Sequence, residues 1–217
     1  MASHTTSTTQ STILTNGHGH VQTGTAVGEP GTTTRKNTER TGLNFRPPCT
    51  LISQPSDFTA PTVEFLQGRW HVTHSTLPMW KTNRNVTITY RSLPNNAEVL
   101  DDLVEYQPVT SDKRKRIEGV DTPDAEMLGA YSWRGRGFLK LASSHWQILG
   151  YGDEDGGWVV TYFQKTLFTP AGIDLYARRK GGLSDELLEQ IRGEISAIND
   201  KNVTRLADLL FPIHHNW

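Results

Sequence analysis

The chain has 217 residues, 35% of them hydrophobic, and a net charge of −1 from 22 basic and 23 acidic side chains. That length suits one domain with some unstructured sequence, and the balanced charge gives no reason to expect a nucleic-acid partner. With Cys49 as its single cysteine, the chain has no intramolecular disulfide to rely on.

Residues 1–6 carry no basic stretch leading into an apolar core, so no secretory signal is expected. About 18 consecutive apolar residues would be needed to span a membrane as a helix. None run together here, and a cytoplasmic location is the expectation. Residues 1–57 read as a disordered tail. Thirteen of the first 42 residues are Thr, and apolar residues such as Ile13, Leu14 and Val21 stand alone. Isolated apolar residues leave no face to bury. His18-Gly19-His20 within it reads as incidental, as do the two Asn-Val-Thr sequons at Asn85 and Asn202.

From Thr59 the pattern changes. Thr59 and Pro61 open a short helical turn with Phe65 and Leu66 as its apolar contacts. Eight strands are then predicted: 69–76, 83–91, 99–107, 113–120, 129–141 (bent at Gly135 and Gly137), 144–151, 157–164 and 172–179. Turn-forming clusters separate them, for example Leu93-Pro94-Asn95-Asn96. Tight links favour antiparallel neighbours, and eight strands close well into a barrel. Ser184 then caps a helix whose Leu187, Leu188, Ile191, Ile195 and Ile198 share one face. The domain reading is a tail at 1–57, a barrel with its helix at 58–200, and a C-terminal extension at 201–217. A short helix is expected over 203–210.

Over residues 59–199 the chain resembles a lipocalin, a calycin-like barrel. The resemblance rests on Gly68-x-Trp70 after a helical turn, the eight strands, the last strand Ile173-Asp174-Leu175-Tyr176-Ala177-Arg178, and the helix start Leu183-Ser184-Asp185-Glu186. It implies an all-β fold, an eight-stranded antiparallel up-and-down barrel with a C-terminal α-helix. It also implies structural roles for Gly68, Trp70 and Arg178, with Trp70 plugging the closed end and Arg178 over its ring; Arg179 is a one-residue-shifted competitor. Lipocalins are mostly secreted and often disulfide-linked, and this chain shows neither trait. Its character is closer to fungal and plant intracellular lipocalin-like proteins.

Such a barrel encloses a cavity for a small hydrophobic ligand: a lipid, sterol, terpenoid or polyketide. Strand alternation, counted from an inward Trp70, points Val72 and His74 inward as well. Ile88, Tyr90, Tyr106, Trp146 and Tyr162 are further candidates for the wall. Met79 and Trp80, with Phe168, lie on unusually apolar mouth loops and are expected to form a lid over the ligand or fill the barrel. His74, Asp102 and Tyr106 are the candidate acid–base residues. Asp101 and Asp102 must face opposite ways. Lys113-Arg114-Lys115-Arg116 reads as a solvated, aggregation-resistant strand face. No metal-ligand spacing and no cofactor motif stands out, though haem held by His74 or His145 is a third, weaker option. Ligand binding without chemistry is the first functional expectation. The alternative is an isomerase or cyclase acting on a hydrophobic biosynthetic intermediate.

Overall fold

A computed structural model describes residues 43–50, 57–167 and 169–216. Its elements begin with a single helical turn, α1 (Val63–Leu66). Eight strands follow: β1 (Gly68–Ser75), β2 (Asn83–Leu93), β3 (Asn96–Pro108), β4 (Lys115–Pro123), β5 (Ala130–Gly135), β6 (Ser143–Gly152), β7 (Trp158–Phe163) and β8 (Gly172–Ala177). Helices α2 (Asp185–Ala197) and α3 (Lys201–Ala207) come next, then a two-residue strand β9 (Phe211–Pro212). Each strand from β1 to β8 pairs antiparallel with the next, and β8 pairs back onto β1. The ring is therefore closed, an eight-stranded antiparallel barrel with its helices last. Closure leaves few exposed strand edges.

The closed end is built around Trp70. Its indole N–H donates to the Leu66 carbonyl at 2.8 Å. The Arg178 guanidinium lies 3.5 Å above the ring centroid. Arg178 also donates to the carbonyls of Phe65, Gln67 (2.6 Å) and Arg69 (3.0 Å). One planar fork thus ties α1 to the start of β1 while covering the indole face. Gly68 has a φ of +95°, and a Cβ there would come within 3.2 Å of that guanidinium. Both facts favour glycine at this position.

The core has two layers. Inside the barrel, Trp70, Val72, Val86, Ile88, Leu100, Ile148 and Val159 pack together. Outside it, Leu149, Trp158, Val160, Ile173 and Leu175 are covered by Leu187, Ile191, Ile195, Val203 and Leu206 of α2 and α3. Strands β7 and β8 are consequently buried on both faces. Ser184 caps α2 by accepting the Leu187 N–H, and Asp200 caps α3 through Asn202 and Val203. The helix expected over 203–210 runs instead over Lys201–Ala207, starting directly after that Asp cap.

Residues 43–50 were expected to belong to the tail but pack on the outside of β6. Phe45 stacks on Trp158 at 5.5 Å and bridges to Gly150. Arg46 is buried, donating to the Ile148 carbonyl at 2.7 Å and to the Cys49 sulfur, with its guanidinium 4.4 Å from the Phe58 centroid. Single anchored side chains hold this segment, with no repeating apolar face. The rest of the expected tail, residues 1–42 and 51–56, lies outside the described residues.

The seam between β1 and β2 is zipped only at the closed end. Gly68 to His71 pair with β2, but beyond a bulge at Thr73 the strand pairs with β9, His74 opposite Pro212 and Ser75 opposite Phe211. On the other side of this wedge, the Asn85 N–H donates to the His214 carbonyl at 2.9 Å, and the Asn85 side chain accepts from the Asn216 N–H at 2.7 Å. Residues 211–216 are thus spliced into the upper half of the seam.

Candidate functional site

Inside the barrel, toward the end opposite Trp70, lies a cavity of about 150 Å³. Its walls are aromatic and aliphatic, chiefly Trp80, Tyr90, Trp133, Trp146, Ile88 and Val104. Two carboxyl groups, Asp102 and Asp174, also line it. Trp146 is stacked between Tyr131 (4.5 Å) and Tyr90 (6.1 Å), which fixes its plane. The roof is the loop between β1 and β2. Its 3-10 turn, Pro78–Thr82, tucks Trp80 into the mouth while Leu77 packs beside it. Gly172 makes room for this, because a Cβ there would come within 2.6 Å of the Leu77 side chain.

The interior holds three acids. Asp174 accepts a hydrogen bond from the Ser75 hydroxyl, which itself accepts the Leu77 N–H at 2.9 Å. Burial pushes the Asp174 carboxyl up to about 7, against the opposing pull of the Ser75 and Trp80 donors. Asp121 accepts the Trp146 indole N–H at 2.7 Å. Burial raises its carboxyl as well, to about 7. Asp102 is held well above the ordinary carboxylate range, first by burial and then by the neighbouring Asp121 charge, while the Trp133 N–H pulls the other way. Ionising one of two carboxyls so placed opposes ionising the other, so burial and the Asp121 charge both favour the protonated form of Asp102. Beside them the Tyr90 hydroxyl bonds that of Tyr176, and burial keeps both phenols neutral. A hydrophobic chamber therefore carries proton donors and acceptors that exchange near pH 7.

Among the residues singled out from the sequence, Trp80, Ile88, Tyr90, Trp146 and Asp102 line this cavity. Val72 is buried in the inner core without lining it. Tyr106 meets Trp80 edge-on at 5.4 Å and borders a separate polar cleft with Arg69 and Glu105. Asp101 faces outward and pairs with Arg136. Phe168 lies outside the described residues.

Three placements correct the sequence reading. His74 is outside the lumen, in a groove of about 460 Å³ formed by β1, the start of α2 and residues 212–215. The bulge at Thr73 inserts one extra residue, so the inward series runs Trp70, Val72, Ser75. Burial and the Arg192 charge hold the His74 imidazole down to about 4, so it is neutral there. Tyr162 packs against the outer core under the helices, while Phe163 lines the cavity. Met79 is exposed and does not line the cavity. His145 is also exposed, bonded to the Ser132 hydroxyl at 3.0 Å. Neither haem-ligand candidate, His74 or His145, is among the cavity-lining residues.

The sequence reading passed over Asp121, Asp174, Trp133 and Tyr176. The available signal was an acid flanked by apolar residues, as in Ile173-Asp174-Leu175. Those neighbours point away from it, into the outer core.

The closed order and the sealed end decide the fold when set beside solved structures. Crustacyanin apoprotein C1 superposes with a TM-score of 0.52 at 11% identity, over 70% of this chain and 78% of that one. The cockroach allergen Per a 4 superposes at 0.55 with 9% identity, over 76% and 94%. This is the lipocalin fold. No protein-family model matches the chain. In sequence it is similar to botcinic acid biosynthesis cluster B protein 12 of Botryotinia fuckeliana (strain B05.10), 25% identical over 193 residues, covering 83% of this chain and 88% of that one. At such identities the solved relatives bear on the lipocalin architecture alone.

Proposed function

We propose that the barrel takes up a small, neutral, oxygen-bearing hydrophobic molecule and isomerises or cyclises it by proton transfer. The observation that carries this reading is Asp174, a carboxyl that burial pushes up to about 7 inside an aromatic chamber also lined by Asp102, whose carboxyl burial raises as well. Asp102 gives its proton to a carbonyl or ether oxygen of the substrate. Asp174, as carboxylate, takes a proton from a substrate carbon. Returning both protons restores the enzyme, and no oxidant or reductant is consumed. Positive charge developing in the substrate is stabilised by the faces of Trp80, Trp133 and Trp146. Similarity to a protein named for the biosynthesis of botcinic acid supports a biosynthetic intermediate as the substrate.

A second reading is carriage without conversion, which the mostly apolar lining favours. One experiment separates them. A cavity of about 150 Å³ holds a benzene-sized ring, so cyclohexenone is a suitable probe. In D2O at pH 7, the protein is expected to speed deuterium uptake into cyclohexenone at least tenfold over buffer. Asp174→Asn should abolish that effect while the ring still binds. Binding without exchange would establish carriage instead, and no binding of any neutral ring would defeat both readings.

A further inference from the structure

The two ends of the barrel differ in chemistry. The mouth is formed by the loops at 76–82, 109–114, 136–142 and 164–171. Seven large hydrophobic residues stand exposed among the described residues, and five of them sit on these loops: Met79, Val109, Phe138, Leu141 and Leu167. Phe138, Leu141 and Leu167 are 91%, 85% and 90% exposed. The same loops carry six exposed cations, Lys81, Lys113, Arg114, Arg136, Lys140 and Lys165, of which Arg114 and Arg136 pair with Glu105 and Asp101 on β3, and one acid, Asp112. That acid is paired with Arg84 at 2.5 Å. At the closed end, the loops at 94–95, 124–129 and 153–157 carry five acids and no cation. Those acids are Asp124, Glu126, Asp153, Glu154 and Asp155; the segment just beyond β8 brings Arg178, Arg179 and Lys180 to the same end, Arg178 engaged on Trp70 and Arg179 paired with Asp155 at 3.1 Å.

We infer that the mouth docks on an anionic lipid surface. Nonpolar side chains this exposed are unfavourable in water, and among the described residues they gather on the loops at the end of the barrel opposite the sealed one. Phe138 and Leu141 share one tight turn, raised on Gly137 at a φ of +58°, and reach into solvent beside Arg136 and Lys140. Apolar tips flanked by Lys and Arg match the boundary between anionic headgroups and acyl chains. The acidic loops of the closed end are repelled by the same surface, which favours turning the mouth toward the bilayer. Seated that way, the cavity opens onto the phase in which a hydrophobic molecule is dissolved. Surface association of this kind needs no spanning helix, and none of the described helices is long and apolar enough to cross a membrane. Docking of this kind is independent of what the interior carboxyls do.

The test is sedimentation of the full chain with vesicles, either pure phosphatidylcholine or phosphatidylcholine with about 30% phosphatidylserine. In 0.1 M salt the protein is expected to pellet with the anionic vesicles only, and to be released as salt rises to 0.5 M. Each surface cation contributes roughly fivefold to such binding. Replacing Lys113, Lys140 and Lys165 together by Gln should therefore weaken it about 100-fold. Phe138→Ser, Leu141→Ser and Leu167→Ser together should weaken it without changing the circular dichroism, because all three are solvent-facing. Asp124→Asn with Asp153→Asn at the other end should leave it intact. Equal pelleting with neutral and anionic vesicles, pelleting with neither, or indifference to the mouth substitutions would overturn the proposal. So would a mouth that captures a protein partner and no vesicle. No substrate is used, so failure here leaves the proton-transfer reading untouched.

Discussion

Replacing Asp174 by Asn offers a direct measure of what the buried acids cost the fold. In the unfolded chain this carboxyl has its ordinary value of 3.8, and in the barrel it sits at about 7. The folded pKa is raised, so between those values the folded state holds a proton that the unfolded state has lost. Stability then falls as pH rises, by about 1.4 kcal/mol per pH unit, until the folded group also ionises. Over the whole interval of about 3 units the loss from this residue is roughly 4 kcal/mol, an upper figure because water and side-chain relaxation soften it. Asparagine mimics the protonated acid and does not titrate. Urea denaturation across pH 4.5 to 8 should show wild-type and variant midpoints that diverge as pH rises, the wild type losing stability relative to the variant with a slope of about one proton. The residual slope in the variant belongs to Asp102 and Asp121, which are raised in the same direction, and to His71 and His74, which are held down to about 4 and act in the opposite direction below about pH 6.5. Parallel pH profiles for the two proteins would refute the assignment of Asp174 as a neutral-range acid.

Two further outcomes follow from the packing. Arg178→Met keeps the apolar cover over Trp70 but removes the donors to three carbonyls. It should cost about 2–4 kcal/mol in chemical denaturation, and a loss below about 0.5 kcal/mol would show that the fork contributes only cover. Trp80→Ala takes the roof off the cavity. It should lower stability by about 3 kcal/mol, yet raise affinity for two-ring neutral probes such as naphthalene, read by isothermal titration.

The strand order and the sealed end were legible because they rest on local rules: period-two alternation, turn residues between strands, and an Arg at the end of β8 opposite Gly68-x-Trp70. The interior was legible only where alternation runs unbroken. Counting from Trp70 reaches Val72 correctly and then fails, because the extra residue at Thr73 reverses the faces that follow. Tyr162 could not be placed by pattern, since β7 is buried on both faces and both read as apolar. Asp121 and Asp174 were hidden for a related reason. An acid in a strand is ordinarily taken as solvent-facing, and its true surroundings come from other strands: Trp146 on β6 for one, Ser75 on β1 for the other. Leu43 and Phe45 went unread because an irregular segment anchored by single residues has no period to detect.

The spliced seam between β1 and β2 has a consequence for how the chain is made. Pairing β1 with β2 and then with β8 requires only residues up to 177, but the upper part of β1 finds its remaining partner in residues 211–213. His74 and Pro212 are 138 positions apart, so this contact carries one of the longest loop closures in the molecule. During synthesis the cylinder emerges with a slit running down from its mouth. Until the segment at 211–216 leaves the ribosome, the upper backbone of β1 and β2 is an unsatisfied edge beside a partly exposed acidic interior. The nascent barrel is thus most prone to aggregation in the interval between completing β8 and receiving its last strand, and a chaperone that acts on this chain would find its substrate there.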